Sequence, residues 1–151
     1  MSPNLERESV VEQEPERDFR ILVVEDDPGI SLLLSVYLRK QRGWSVDTAS
    51  DGDEGLEMIR NSEPSYDVVV TGWTMPGRSG VAMTKEARKD FPQTDFILMS
   101  RDSGPEIKNE KWLKMKGFKR GVAKPFDPLE MVESIKLLLQ DRKRLMPTQG
   151  S

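Results

Sequence analysis

Apolar residues along this chain come in short unbroken runs that alternate with longer stretches of helical spacing. Ile21-Leu-Val-Val24 is the first run, followed at once by Glu25-Asp-Asp-Pro28, the pattern of a buried strand ending in a charged loop. Asp27-Pro28 predicts a helix start, with Asp as N-cap and Pro at the first helical position. The helix that follows carries Ile30, Leu33, Leu34, Tyr37 and Leu38 at i, i+3, i+4, i+7, i+8 and runs out near Gly43. Trp44, Val46 and Thr48 predict a second strand, and Ser50 or Asp51 can cap a helix carrying Leu56 and Ile59 that ends before Pro64.

The third strand, Asp67 to Thr71, reads as buried on both faces and stops in a loop punctuated by Pro76, Gly77 and Gly80. A helix from about Val81 to Phe91 turns Val81, Ala87 and Phe91 inward, and Phe96-Ile-Leu-Met99 is the fourth strand. A charged segment from about Glu106 to Lys116 has Ile107, Trp112, Leu113 and Met115 as its apolar members, and Gly117 closes it. Phe118 to Ala123 makes a fifth strand, after which Lys124-Pro-Phe-Asp-Pro128 opens a last helix burying Leu129, Val132, Ile135, Leu138 and Leu139. Five alternations of strand and helix predict a parallel sheet covered on both faces, joined by right-handed crossovers. Ligands in such sheets bind outside the carboxyl ends of strands, so Gly72, at the end of the third strand, stands where chemistry is expected and has no side chain to perform it.

Composition narrows the chemistry further. The 151 residues suffice for one domain with a core, and the absence of Cys and His excludes disulfides, thiolate chemistry and the commonest general base. Any metal would be a hard one held by carboxylates. No apolar run reaches membrane length, and a cytoplasmic protein without a membrane partner is expected. Six acids against two arginines give Met1 to Asp18 a balance of −4, which leaves +1 of the total of −3 for the rest. The expected organisation is an acidic, disordered tail over 1–18, a domain over 19–141 and a short tail over 142–151.

Four stretches at strand ends carry a family resemblance: Glu25-Asp-Asp27 after the first strand, Trp73-Thr-Met-Pro76 with Gly80 after the third, Ser100 ending the fourth, and Lys124-Pro-Phe126 after the fifth. Over roughly Phe19 to Asp141 the chain resembles the response-regulator receiver domain of two-component signalling. The resemblance implies a flavodoxin-like, doubly wound α/β fold, a five-stranded parallel sheet in the order 2-1-3-4-5 between two helical layers. It also implies a phosphotransfer site in which an acidic pair and an Asp bind Mg²⁺, a hydroxyl contacts the phosphoryl group and a Lys neutralises it. Carried over, the acidic pair is Glu25 and Asp26, the hydroxyl Ser100, the lysine Lys124, and the phosphoacceptor position Gly72.

An acyl phosphate needs a carboxylate, so phosphorylation at residue 72 is chemically closed. Neighbouring Thr71 should point to the opposite face of the strand. With one carboxylate gone, Mg²⁺ binding at Glu25 and Asp26 is expected to be weak or absent, with no other cofactor, and a salt bridge from Lys124 to Asp26 or Glu25 to replace it. Two more positions depart from the family: Arg101, where a small residue is usual, and Gly121, where an aromatic switch residue is usual. Lys108, Lys111, Lys114, Lys116, Lys119 and Arg120 face only Glu106 and Glu110. They form either a solvated face or a docking surface for an acidic partner.

The sequence therefore reads as a stand-alone receiver-like, non-enzymatic protein acting by protein contacts without phosphate at Gly72. Expected partners are a histidine kinase, a phosphotransfer protein or a downstream target, with pairing of two copies through the fourth helix, fifth strand and last helix open and nucleic acid not expected. Two alternatives stand beside it. One is a working phosphoacceptor that uses Glu25, Asp26 or Thr74, or whose native chain has Asp at 72. The other is a scaffold whose acidic tail folds back on the basic face.

Overall fold

The computed structural model describes residues 18–101 and 105–145. The acidic tail expected over 1–18, except Asp18, and the last residues of the C-terminal tail lie outside them. Five strands, β1 (Phe19–Val24), β2 (Trp44–Ala49), β3 (Val68–Gly72), β4 (Asp95–Ser100) and β5 (Arg120–Ala123), form one parallel sheet in the order β2-β1-β3-β4-β5. The helices are α1 (Pro28–Arg39), α2 (Gly52–Asn61), α3 (Gly80–Asp90), α4 (Pro105–Lys108), α5 (Glu110–Lys116) and α6 (Pro128–Leu145). The expected flavodoxin-like three-layer arrangement is the one observed.

Strand alternation divides the core in two. Leu22, Val24, Val69, Phe96 and Leu98 point toward α2, α3, α4 and α5, where Leu56, Ile59, Met83, Ala87, Ile107 and Leu113 meet them. Ile21, Val23, Val68, Val70, Ile97 and Met99 point the other way, onto Leu34 and Leu38 of α1 and Met131, Val132, Ile135, Leu138 and Leu139 of α6. β1, β3 and β4 are apolar without alternation because both of their faces are covered.

Helix starts follow local chemistry. Asp27 caps α1, its side chain accepting from Gly29 N and Ile30 N, while Asp51 caps α2 and Ser79 caps α3. The charged segment expected as one unit is two, because Asn109 interrupts it and caps α5 by accepting from Trp112 N. Gly117, with φ of 96°, ends that helix in the left-handed region.

Two inward assignments are corrected. Leu33 is 43% exposed, because the buried arc of α1 is centred on Leu34, Ser35 and Leu38. Leu129 is 53% exposed in the first turn of α6, and Met131, which the pattern did not single out, is fully buried in its place. α6 also continues past Asp141, where the domain was expected to end. Arg142 explains the extension: its guanidinium sits 3.2 Å from Asp95, donates to the Asp67 carbonyl at 3.1 Å and donates to the Gln93 carbonyl.

Candidate functional site

β1, β3, β4 and β5 deliver Glu25, Gly72, Ser100 and Lys124 to one end of the sheet, the end at which parallel strands expose their carboxyl termini. In register, Gly72 lies opposite Met99 and Ser100 opposite Ala123, one residue before Lys124. The Lys124 N–H donates to the Ser100 carbonyl at 2.7 Å, tying the two loop starts together.

Glu25 is buried, and its Oε1 accepts from Lys124 Nζ at 2.8 Å. Its Oε2 accepts from the Asp27 N–H at 2.9 Å, so both carboxylate oxygens are engaged. The sequence left Glu25 and Asp26 open as partners of the lysine, and the fold selects Glu25. Consecutive residues leave the strand in opposite directions, and Asp26 is exposed.

Gly72 is a close-approach position. A Cβ built there would lie 3.0 Å from Glu25 Oε1 and 3.9 Å from Met75 Cγ, so the Glu25 carboxylate leans across the glycine. Thr71 faces away, fully buried, with its hydroxyl donating to the Gly72 carbonyl at 2.9 Å. Ser100 is buried at the end of β4, whereas Thr74 and Arg101 are exposed, and Arg101 pairs with neither Glu25 nor Asp26.

This donor set does not fit a hard divalent cation. Glu25 is committed to Lys124 and a backbone N–H, residue 72 supplies no ligand, and no group of three potential ligand side chains occurs among the described residues.

Gly121 is also set by close approach. A Cβ at that position would stand 2.4 Å from the Ile107 carbonyl oxygen and 3.1 Å from Leu113 Cδ1, so α4 and α5 pack directly on β5. The volume an aromatic side chain would need is filled by Ile107 and Leu113, both buried. A further contact escaped the sequence reading. Trp73, just after Gly72, stacks on Trp112 of α5 with centroids 5.1 Å apart and planes tilted by 34°. Linear spacing could not have found it, since the pair joins two connections on one layer.

The basic residues do not all share a face. Lys108, Lys111, Lys114 and Lys119 are exposed on and just after α4 and α5. Arg120 is half-buried in β5 and alternates with Gly121, which places it on the α6 side of the sheet. Its Nε is buried without a hydrogen-bond partner among the described residues.

An open parallel sheet in this strand order, with an acidic residue, a buried hydroxyl and a lysine gathered at its carboxyl end, defines the class as a doubly wound, flavodoxin-like α/β domain with a polar site. The sequence model of the response regulator receiver domain matches residues 21–136, and the chain belongs to that family. It is 31% identical over 125 residues to the transcriptional regulatory protein ResD of Bacillus subtilis, covering 80% of this chain and 48% of ResD. To the transcriptional regulatory protein DltR of Streptococcus agalactiae it is 34% identical over 122 residues, covering 78% of this chain and 50% of DltR. The chain thus spans about half the length of these curated relatives. Among solved structures, the receiver domain of the Francisella response regulator 1452 superposes with a TM-score of 0.73 at 28% identity, covering 83% of this chain and 99% of that one.

Proposed function

We propose that this receiver is a phosphate-independent binding module of two-component or phosphorelay signalling, with Gly72 standing at the phosphoacceptor position. The observation that carries the reading is the Lys124–Glu25 ion pair. The cation that would neutralise a phosphoryl group is already held 2.8 Å from a buried carboxylate, and no nucleophile sits beside it at residue 72. Gly121 supports the same reading, because the space for a moving aromatic ring is occupied by α4. With phosphate, Mg²⁺ and ring movement all disfavoured, the levers by which a receiver would shift a two-state population are reduced or missing, and the domain is read as held in one conformation.

On this reading the protein catalyses nothing, carries no resident Mg²⁺ and works in the cytoplasm through contacts with a histidine kinase, a phosphotransfer protein or a downstream target. No helix among the described residues is long and apolar enough to cross a membrane. The exposed lysines of α4 and α5 supply an electropositive surface suited to an acidic protein partner. Pairing of two copies would use the neighbouring face of α4, α5, β5 and α6.

Intact mass after incubation with Mg²⁺ and a small-molecule phosphodonor, beside a Gly72→Asp variant, tests the proposal. The unmodified chain is expected to stay unlabelled. Labelling of the variant alone would show that Glu25, Asp26, Ser100 and Lys124 are still competent and that Gly72 silences the site. A labelled unmodified chain means that another residue, with Thr74 as the exposed hydroxyl nearby, has become the acceptor, and the proposal fails.

A further inference from the structure

α1 is apolar on its outer side as well as its inner one. Its twelve residues contain no acid and one formal charge, Arg39. Leu32, Leu33 and Val36 are 64%, 43% and 41% exposed, on the side turned away from the buried Leu34 and Leu38. A helix at a protein surface ordinarily carries polar residues on that side, so the composition of α1 asks for a cover. One turn further, the stripe runs into Arg39, Lys40 and Arg42. Arg39 donates to the Val46 carbonyl at 3.0 Å and Lys40 lies 5.4 Å from the centroid of the Tyr37 ring. None of these three cations forms an ion pair with a carboxylate among the described residues.

The chain enters the fold at this corner. The Phe19 N–H donates to the Gly43 carbonyl at 2.7 Å, next to Arg42. The residues before it carry a pattern of period two: Glu6, Glu8, Val10, Glu12, Glu14, Glu16 and Asp18 occupy every even position. In an extended chain even positions share one side, so this segment can present a row of carboxylates with an apolar break at Val10. Reach is ample. The nine residues from Val10 to Phe19 span up to about 30 Å extended, whereas Lys40 to Leu33 is a rise of about 10 Å along the helix.

We infer that the outer face of α1 is a docking surface for this chain's own acidic N-terminal segment. Glu12, Glu14 and Glu16 meet Arg39, Lys40 and Arg42, and Val10, on the same side of the extended segment, covers Leu33 and Val36. The basic residues of α4 and α5 are the competing site for an acidic segment. They lie in the other helical layer, beyond β3 and β4 from the point of entry, and present mainly lysines without an apolar stripe beside them. The inference stands independently of whether residue 72 receives phosphate.

The chain contains no Cys, so Ser9→Cys provides a unique site for a nitroxide label on the full-length protein. Loss of amide signal intensity at Leu32, Leu33 and Val36 is expected, with the signals of Lys108 to Lys116 unchanged. A mixture of labelled, isotope-silent chain with unlabelled, isotope-enriched chain should show no such loss. Intensity loss at 108–116 instead, or no localised loss, overturns the inference, and equal loss in the mixture transfers the contact to a second copy and overturns it too. Two variants test the contacts themselves: Leu33→Ser with Val36→Ser, both exposed and so compatible with folding, and Glu12, Glu14 and Glu16 each changed to Gln. Each is expected to restore the α1 signals. Loss that persists in both would show that these side chains do not hold the segment.

Discussion

Replacing Lys124 by Ala isolates the energetics of the site. The change leaves Glu25 with no exposed side-chain surface and without its cation, while the bond from the Asp27 N–H to Oε2 remains. Stripping one partner from a buried ion pair costs about 3–5 kcal/mol, because the remaining charge stays desolvated. Lys124 is 11% exposed and Glu25 keeps one donor, so the low end, about 3 kcal/mol, is expected. With a urea m-value of about 2 kcal/mol/M, the unfolding midpoint should fall by about 1.5 M near neutral pH. Removing both charges, Glu25→Gln with Lys124→Met, should recover most of that loss, since no buried charge is then left alone. A loss below about 1 kcal/mol for Lys124→Ala, the value of an exposed pair, would refute the claim that this bridge holds the site together.

Three further outcomes are expected. Gly121→Phe should destabilise the domain by more than about 3 kcal/mol in the same urea assay, since its Cβ meets the backbone carbonyl of Ile107 at 2.4 Å and that atom cannot swing aside. Unchanged stability would mean that α4 yields easily. Mg²⁺ should leave the melting temperature of the parent chain unchanged but raise that of Gly72→Asp, by an amount equivalent to about 2.7 kcal/mol at a hundredfold excess over Kd. A parent chain that responds to Mg²⁺ would show that Glu25 and Asp26 suffice to hold it. Tyr66 is pushed up to about 12 by burial first, then by its 2.7 Å hydrogen bond to Asp47 and the charge of that carboxylate, with Arg20 opposing. A raised folded-state value favours the protonated phenol in the native state. The associated stability is full below pH ~10 and lost as the pH climbs to ~12, up to about 2.7 kcal/mol. Urea midpoints measured from pH 9 upward should fall less in Tyr66→Phe than in the parent; equal slopes would rule out this linkage.

Legibility varied with the range of the interaction. Strand positions and helix caps rest on residues within a few positions of one another. Asp27 and the run Ile21 to Val24 were therefore readable in order, and Asp51 is the one of two neighbouring candidates, Ser50 and Asp51, that caps α2. Boundaries shifted where a local pattern was degenerate. The triple Leu32-Leu33-Leu34 does not say which leucine faces the sheet, and packing against α6 and β1 chose Leu34. Arg120 was placed with the lysines because it follows them in the chain, although strand alternation sends it to the other layer.

Sequence by itself determined the alternation of strands and helices in a parallel sheet and the chemical emptiness of residue 72, because each depends on residue type and local spacing, while the meeting of four strand ends at one site was what the family resemblance implied. Only the tertiary structure decided which carboxylate takes Lys124, that Glu25 leans over Gly72, that Ile107 fills the space above Gly121, and that Trp73 reaches Trp112. These contacts join residues from separate strands and helices, and their distances follow from how the layers pack rather than from any run of letters. The apolar outer face of α1 has the same origin, since a leucine becomes exposed only once the sheet has chosen which side of its helix to cover.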